Sequence, residues 1–147
     1  MSIKQTQINE IVRCGKDPSY FINKYLKIEH PLKGLIPFTT YPFQDTCLND
    51  FNEHRFNIIL KSRQLGISTI VAAYAIWQAL FYKNKNILII ATKLAVAQNF
   101  VKKVKVAIQA LPPWLILSPI TSNNKQQVVF ANGSSIKAIP TSEDAGR

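Results

Sequence analysis

A short polar stretch between two apolar segments contains the residues of this sequence that are best suited to bind phosphate. Residues 61–69 are KSRQLGIST, and they follow the β-branched run of residues 56–60 and precede a long apolar segment. In phosphate-binding loops, a loop joins a strand to the start of a helix. The backbone N–H groups of the loop and the positive end of the helix together hold an anion. The sequence therefore predicts a strand at 56–60, a phosphate-binding loop at 61–69 and a helix after it.

Comparison of this loop with the pattern GxxxxGK[ST] assigns roles to its residues and shows two departures. Gly66 stands at the second glycine, where the chain turns tightly, and Ser68 stands at the hydroxyl that binds Mg²⁺. Lys61 replaces the first glycine, and Ile67 replaces the lysine that contacts the terminal phosphates. Because the phosphates still require a cation, we expect Lys61 or Arg63 to supply it from the start of the loop.

A purely structural interpretation of the same residues is available. Single glycines near Ser and Thr are common between strands and helices, and Ser68 or Thr69 would serve equally well as a helix cap. Composition alone does not separate the two interpretations.

A second candidate site lies upstream, in the YPFQ segment that contains Phe43 and Gln44. A glutamine amide carries a donor and an acceptor that match the edge of adenine, and an adjacent aromatic ring can stack on the base. The alternative is that Phe43 belongs to the core and that Gln44 is a solvated helix residue.

Composition and charge limit the class of protein. The 147 residues are 47% hydrophobic and 18% charged, which suits one globular domain with a sizeable core. The formal net charge of +10 favours polyanions, so nucleic acid is the first partner to consider. Cys14 and Cys47 show no CxxC spacing, so neither a disulfide framework nor a zinc site is expected. The most apolar run, residues 70–81, is too short to span a bilayer, so no membrane association is expected.

The periodicity of apolar residues predicts an α/β fold with a mostly parallel sheet and flanking helices. Continuous apolar strands suit a parallel sheet covered on both faces, and strand, helix, strand makes a right-handed crossover. An Asn132–Gly133 pair predicts a β-hairpin near the end of the chain. The predicted helices cover residues 1–13, a segment opened by Asp17 and Pro18, and residues 42–53, 69–81 and 93–110; the predicted strands include 86–92, and residues 30–42 are an extended connector.

The amino-acid sequence of the loop also resembles that of a known protein family. KSRQLGIST is similar to the variant Walker A loop of the large terminase subunits of tailed bacteriophages, in which a lysine or arginine at the start of the loop replaces the usual lysine. YPFQ and ANGSSIKAIPTSEDAGR extend the resemblance over roughly residues 17–147. It implies a P-loop NTPase of the additional-strand class, which uses ATP and Mg²⁺ to drive double-stranded DNA into a procapsid.

The resemblance also implies specific site residues. Gln44, beside Phe43, takes the position of the glutamine that recognises adenine. Arg147 takes the position of an arginine that reaches the ATP of a neighbouring subunit. Catalytic roles fall on Lys61, Arg63 and Arg147, and the Mg²⁺ ligand is Ser68. The expected nucleotide-binding residues are Phe43, Gln44, Lys61, Ser62, Arg63, Gln64, Leu65, Gly66, Ile67, Ser68 and Thr69.

The same resemblance sets expectations for domains, partners and location. Residues 1–41 are expected to form an N-terminal helical segment and connector, and 42–147 the first part of the ATPase domain. No apolar strand ending in two acids occurs, so the Walker B strand and the nuclease domain are absent, and the fragment alone is expected to be inactive. Expected partners are double-stranded DNA, the portal protein, the small terminase subunit and further copies in a ring, in the host cytoplasm and transiently at the procapsid portal.

Two other classes of protein share parts of this pattern. A helicase-like P-loop motor would carry the glutamine and the loop, but it should keep lysine at position 67, where this chain has Ile67. A non-catalytic nucleic-acid-binding domain with a degenerate loop would need neither. Nucleotide binding separates the last class from the other two.

Overall fold

The structure, a computed structural model, describes residues 4–141. These residues combine five α-helices with six short strands, and the predicted α/β class is confirmed. In chain order the elements are α1 (Gln5–Lys16), α2 (Pro18–Tyr25), β1 (Lys27–His30), β2 (Gly34–Pro37), α3 (Pro42–Glu53), α4 (Ile67–Phe81), β3 (Asn86–Ala91), α5 (Leu94–Gln109), a 3₁₀ turn (Pro113–Leu115), β4 (Ile120–Asn123), β5 (Gln127–Phe130) and β6 (Ser135–Pro140).

The helix starts follow from local chemistry. The Asp17 carboxylate accepts a hydrogen bond from the backbone N–H of Tyr20, and Pro18 occupies the first helical position of α2. The first N–H groups of a helix have no acceptor within the helix. Asp17 accepts a hydrogen bond from one of them, and proline has no N–H to donate. Pro42 opens α3 in the same way, and that helix has the predicted bounds, 42–53.

The main sheet is mixed, so the prediction of a mostly parallel sheet is wrong for the described residues. Its strand order is β3-β6-β5-β4. Only β3 and β6 run parallel, while β5 pairs antiparallel with both β6 and β4. The predicted hairpin is confirmed: Gly133 has φ +85° in the turn between β5 and β6. This hairpin and the return through β4 reverse the chain twice, which produces the antiparallel pairs.

The strand predicted at residues 56–60 is not formed. This segment has no regular structure, and Phe56, Ile58 and Leu60 are 81%, 100% and 101% exposed. β-branched composition gives a segment the propensity for a strand, but a strand also requires a neighbour to share backbone hydrogen bonds. No strand among residues 4–141 pairs with this segment.

The connector predicted at residues 30–42 is partly a hairpin. β1 and β2 pair antiparallel, with Ile28 opposite Ile36, and Gly34 at φ +69° follows the turn. β1 also lies against α5, so the hairpin packs on the helical layer. β4 was likewise not predicted, and its register with β5 is irregular between Ile120 and Ser122.

Helix α4 lies at the centre of the core. It is apolar nearly all round, as predicted, and Trp77 is 1% exposed. The indole Nε1 of Trp77 donates a 2.8 Å hydrogen bond to the carbonyl oxygen of Cys14 at the end of α1. Residues from the first 41 positions therefore share one core with α4 and α5. Among residues 4–141 no helix has the length and apolarity needed to cross a bilayer.

A polar cluster fastens α1 to α2. The Glu10 carboxylate accepts hydrogen bonds from the hydroxyls of Tyr20 and Tyr25 and from the ammonium of Lys24, at 3.0 Å for the lysine. These bonds, that from Tyr25 foremost, lower the pKa of Glu10 from the ordinary 4.5 to about 2. Charge-assisted bonds of this kind favour the ionised form of the carboxyl.

The Glu10 cluster predicts how stability depends on pH. The pKa is depressed in the folded state, so the stabilisation is present above about pH 4.5 and is lost as pH falls toward about 2. We expect Glu10→Gln to lower the free energy of unfolding at pH 7. It should also flatten the pH dependence between pH 4.5 and 2, measured by urea denaturation. Parallel curves for the variant and the unmodified protein would contradict this assignment.

Candidate functional site

The loop before α4 contains two residues in the left-handed region of backbone conformation. Gly66 caps the helix with φ +70° and ψ +21°, and Gln64 has φ +62°. For any residue other than glycine, this backbone conformation costs about 1 kcal/mol or more. Strain of this kind is retained mainly where a backbone shape is needed for function, so the shape of the loop at 64–66 is a marker of a site.

The environment of Gly66 requires glycine for a second reason. A Cβ atom added there would lie 2.8 Å from the side-chain nitrogen Nε2 of Gln44. With Gly66 in this position, α4 begins at Ile67, and the N–H groups of its first turn have no intrahelical acceptor. Free N–H groups and the helix dipole suit an anion at such a helix start, and binding of phosphate here stays a prediction.

Gln44 supports the loop from α3. Its side chain is 2% exposed, and its Oε1 accepts a 2.9 Å hydrogen bond from the N–H of Tyr41. Its Nε2 donates to the carbonyl oxygens of Leu65 and Gly66 at 3.3 and 3.4 Å. The amide therefore ties the start of α3 to the loop. A contact between this amide and an adenine edge stays a prediction, and it would require an exchange of these hydrogen bonds.

An open cleft of about 380 Å³ lies beside the loop. The rings of Tyr41 and Phe43 stack at its edge, with centroids 5.8 Å apart and planes 6° apart. An apolar cleft with a few polar groups is typical of sites for flat heterocyclic ligands. The cleft is lined by Ile28, Phe38, Tyr41, Phe43, Gln44, Gln64, Leu65, Gly66 and Thr69.

The structure brings together some of the predicted site residues and separates others. Gly66 and Thr69 line the cleft, whereas Ser68 lines a second cleft on another side of α4. Lys61, which bonds only the adjacent Ser62 carbonyl at 3.3 Å, is exposed. The six predicted residues around the cleft are Phe43, Gln44, Gln64, Leu65, Gly66 and Thr69.

The remaining predicted residues lie elsewhere. Ser62 and Arg63 are exposed and do not line the cleft, so the structure does not place the expected cation against it. Ile67 packs against the core at the start of α4. Arg147 lies outside the described residues.

Three residues of the cleft were not predicted: Ile28, Phe38 and Tyr41. Tyr41 belongs to the YPFQ segment, and proline at the first position of α3 makes Tyr41 the residue before the helix, which could have identified it. Ile28 and Phe38 come from β1 and from the residue after β2. Their contribution depends on where the hairpin packs, which local sequence does not specify.

The donor set fits a magnesium ion that is held mainly by a nucleotide. Among residues 4–141 no group of three or more His, Cys, Asp or Glu side chains is placed to hold a metal ion. Mg²⁺ commonly binds one or two protein oxygens together with substrate phosphates and water. The Ser68 hydroxyl in the first turn of α4 suits that arrangement.

The fold and the loop together define the class of this protein: an α/β protein with a left-handed glycine turn at the start of a buried helix. The profile of the family described as "Terminase large subunit, T4likevirus-type, N-terminal" matches residues 58–147. The chain therefore belongs to the large terminase subunit family, as its loop and hairpin sequences predicted.

A solved structure supports the fold independently. The chain is similar to the crystal structure of the HK97 bacteriophage large terminase, with a TM-score of 0.66 and 17% sequence identity. The similarity covers 86% of this chain and 27% of the HK97 chain. The chain thus spans about a quarter of the length of that protein.

The position of Gln44 generates a prediction for nucleotide binding. Gln44→Ala should weaken binding of both ATP and GTP, because the loop loses the amide that holds the Leu65 and Gly66 carbonyls. It should also reduce the preference for ATP, if the same amide contacts adenine in the bound state. Competition binding with both nucleotides measures the two effects separately. Unchanged affinity would refute the support of the loop, and an unchanged preference would refute the contact with adenine.

Proposed function

We propose that this chain is the ATP-binding part of a viral motor that couples ATP hydrolysis to translocation of double-stranded DNA into a procapsid. The observation that carries the proposal is the conformation of Gly66. Its left-handed backbone starts α4 and packs on the amide of Gln44, beside an aromatic cleft. This geometry suits a nucleotide-binding loop, and the P-loop NTPase class with an additional strand is proposed from the family to which the chain belongs.

The proposed roles follow from position and chemistry. The N–H groups of the first turn of α4 hold the triphosphate, and the Ser68 hydroxyl binds Mg²⁺. The Tyr41 and Phe43 rings hold the base, and Gln44 orients both the loop and the base. Phosphoryl transfer depends on positioning and charge stabilisation more than on covalent chemistry, so these contacts supply most of what the reaction needs from this part of the chain.

Positive charge on the phosphates is assigned to Lys61 and Arg63. Ile67 carries no charge, and Lys61 and Arg63 are the cations of the loop itself. Their exposed side chains have to turn toward the cleft when the triphosphate binds. Arg147 is proposed to reach the ATP of a neighbouring subunit, because a guanidinium fork spreads the negative charge of a transferring phosphate.

The partners proposed for the whole protein are those of a packaging motor. They are double-stranded DNA, the portal protein of the procapsid, the small terminase subunit and further copies of the same chain in a ring, in the host cytoplasm. The net charge of +10 suits an association with DNA.

One observation favours a second candidate, a non-catalytic nucleic-acid-binding module. Lys61 and Arg63 do not line the cleft, and a loop without a cation on the phosphates binds a triphosphate poorly. In that case the left-handed turn is a helix cap and nothing more. A helicase-like motor is a third possibility that keeps ATP binding, although its loop would carry lysine at position 67.

Substitution in the full-length protein tests whether Lys61 or Arg63 replaces the lysine that the loop pattern has at position 67. We expect Lys61→Ala to reduce ATP hydrolysis by roughly a hundredfold or more, because preorganised charge at the transferring phosphate is worth about that much. Steady-state hydrolysis and fluorescent nucleotide binding are measured side by side. If Lys61→Ala is active, Arg63→Ala identifies the cation.

The matched control is Ile67→Ala, at the position where the pattern has lysine. This change removes core contacts and should reduce stability while leaving turnover of the folded protein close to normal. Normal turnover in Lys61→Ala, Arg63→Ala and the double variant would contradict the catalytic role of these two cations. An unmodified protein that binds no nucleotide would favour the binding module.

A further inference from the structure

The charge of this chain is distributed very unevenly along its length. Residues 54–141 contain no Asp or Glu, whereas residues 1–53 contain six acidic residues that balance their six Lys and Arg. This part of the sequence therefore carries an excess of positive charge, which attracts polyanions. In the fold, Glu29 of β1 lines a cleft together with Lys102 and Lys103. The Lys and Arg residues of this part are Arg55, Lys61, Arg63, Lys83, Lys85, Lys93, Lys102, Lys103, Lys105, Lys125 and Lys137.

Three of these lysines line one groove. Gln98, Asn99, Lys102 and Lys105 lie on α5, and Lys125 lies in the turn between β4 and β5. We call these five residues the α5 lysine groove, which has a volume of about 260 Å³.

The groove is held in shape by hydrogen bonds between its two walls. The ammonium of Lys105 donates to the carbonyl oxygen of Asn124, which joins α5 to the turn. Within the turn, the Asn124 side chain accepts from the N–H of Gln126, and the Asn124 N–H donates to the carbonyl of Gln127 at 2.9 Å. Lys125 is thus presented at the tip of a fixed turn opposite Lys102, and both are exposed.

We propose that the α5 lysine groove binds the phosphate backbone of double-stranded DNA. Its lining consists only of lysine and amide side chains, which are the groups that contact DNA phosphates and sugars. The groove has no aromatic ring, so it lacks the stacking platforms that single-stranded nucleic acid uses. It also lacks the apolar anchors that a protein partner would need.

The groove is next to the proposed nucleotide site. Asn99 and Lys102 also line the second cleft, together with Ser68 from the first turn of α4 and Glu29 from β1. The same two side chains therefore face the DNA groove on one side and the start of the phosphate-binding helix on the other. This position would allow the two ligands to influence each other through α5. The choice of duplex DNA as the polyanion rests on the proposed function, whereas the groove itself does not.

The test measures the salt dependence of DNA binding. The full-length protein is titrated with a fluorescent 30-base-pair duplex at several KCl concentrations. The variant Lys102→Gln, Lys105→Gln, Lys125→Gln should reduce the slope of log affinity against log salt by about 2 to 3, since each phosphate contact contributes roughly 0.9. Its affinity at low salt should fall about tenfold or more.

The matched control removes the same charge from the same part of the chain. Lys83, Lys85 and Lys137 are exposed and lie outside the groove, and changing all three to Gln should alter the slope by less than about 1. Equal loss in both triple variants would overturn the proposal in favour of a diffuse field. Equal effects of the groove variant on binding of polyglutamate or single-stranded DNA would overturn the assignment to duplex DNA.

Nucleotide binding keeps this test separate from the proposed function. Without DNA present, the double variant Lys105→Gln, Lys125→Gln and the control variant should bind fluorescent ATP as the unmodified protein does, because none of these lysines lines the cleft that contains Ser68. If the groove variant keeps its affinity for DNA and binds ATP normally, only the proposal that the groove binds DNA is overturned. An unmodified protein that binds no ATP overturns only the nucleotide-binding function.

Discussion

The close packing of Gln44 against Gly66 is the constraint on which the candidate site depends. A left-handed residue before α4 sets the direction of the helix and of its first N–H groups, and the buried Gln44 amide holds the carbonyls of that turn. A Cβ at residue 66 would lie 2.8 Å from the Gln44 Nε2, so the amide would have to shift away from the turn. The pair also joins α3 and its aromatic Tyr41 and Phe43 to the loop, so the apolar cleft and the anion-binding end have a fixed relation.

The core holds this arrangement in place from behind. Most of α4 is buried, and the Trp77 indole donates a hydrogen bond to the Cys14 carbonyl at the end of α1, so the core fixes α4 where its first turn meets the cleft. The charge of the chain acts at longer range. Residues 54–141 contain eleven Lys and Arg and no Asp or Glu, and this excess of positive charge suits phosphate as the ligand proposed for both the loop and the α5 lysine groove.

The sequence predicted those features that depend on local chemistry. The Asp17 cap, the bounds of α3, the hairpin at Asn132–Gly133 and the loop before α4 all follow from residues adjacent in the chain. The failures concern pairing and packing between distant segments. Residues 56–60 have the composition of a strand but no partner among the described residues, and the hairpin of residues 27–37 forms because it packs on α5. For the same reason Ile28 and Phe38 were missed in the cleft.

The central claim is that the start of α4 holds the triphosphate of ATP, and backbone amide NMR tests it most directly. An isotope-labelled sample is titrated with Mg²⁺ and ATP, and with inorganic phosphate for comparison. The account predicts saturable shifts of the amide signals of Gly66, Ser68 and Thr69 with both ligands, and of Tyr41 and Phe43 with ATP alone. Shifts confined to the α5 lysine groove, with the amides of Gly66–Thr69 unchanged, would contradict it.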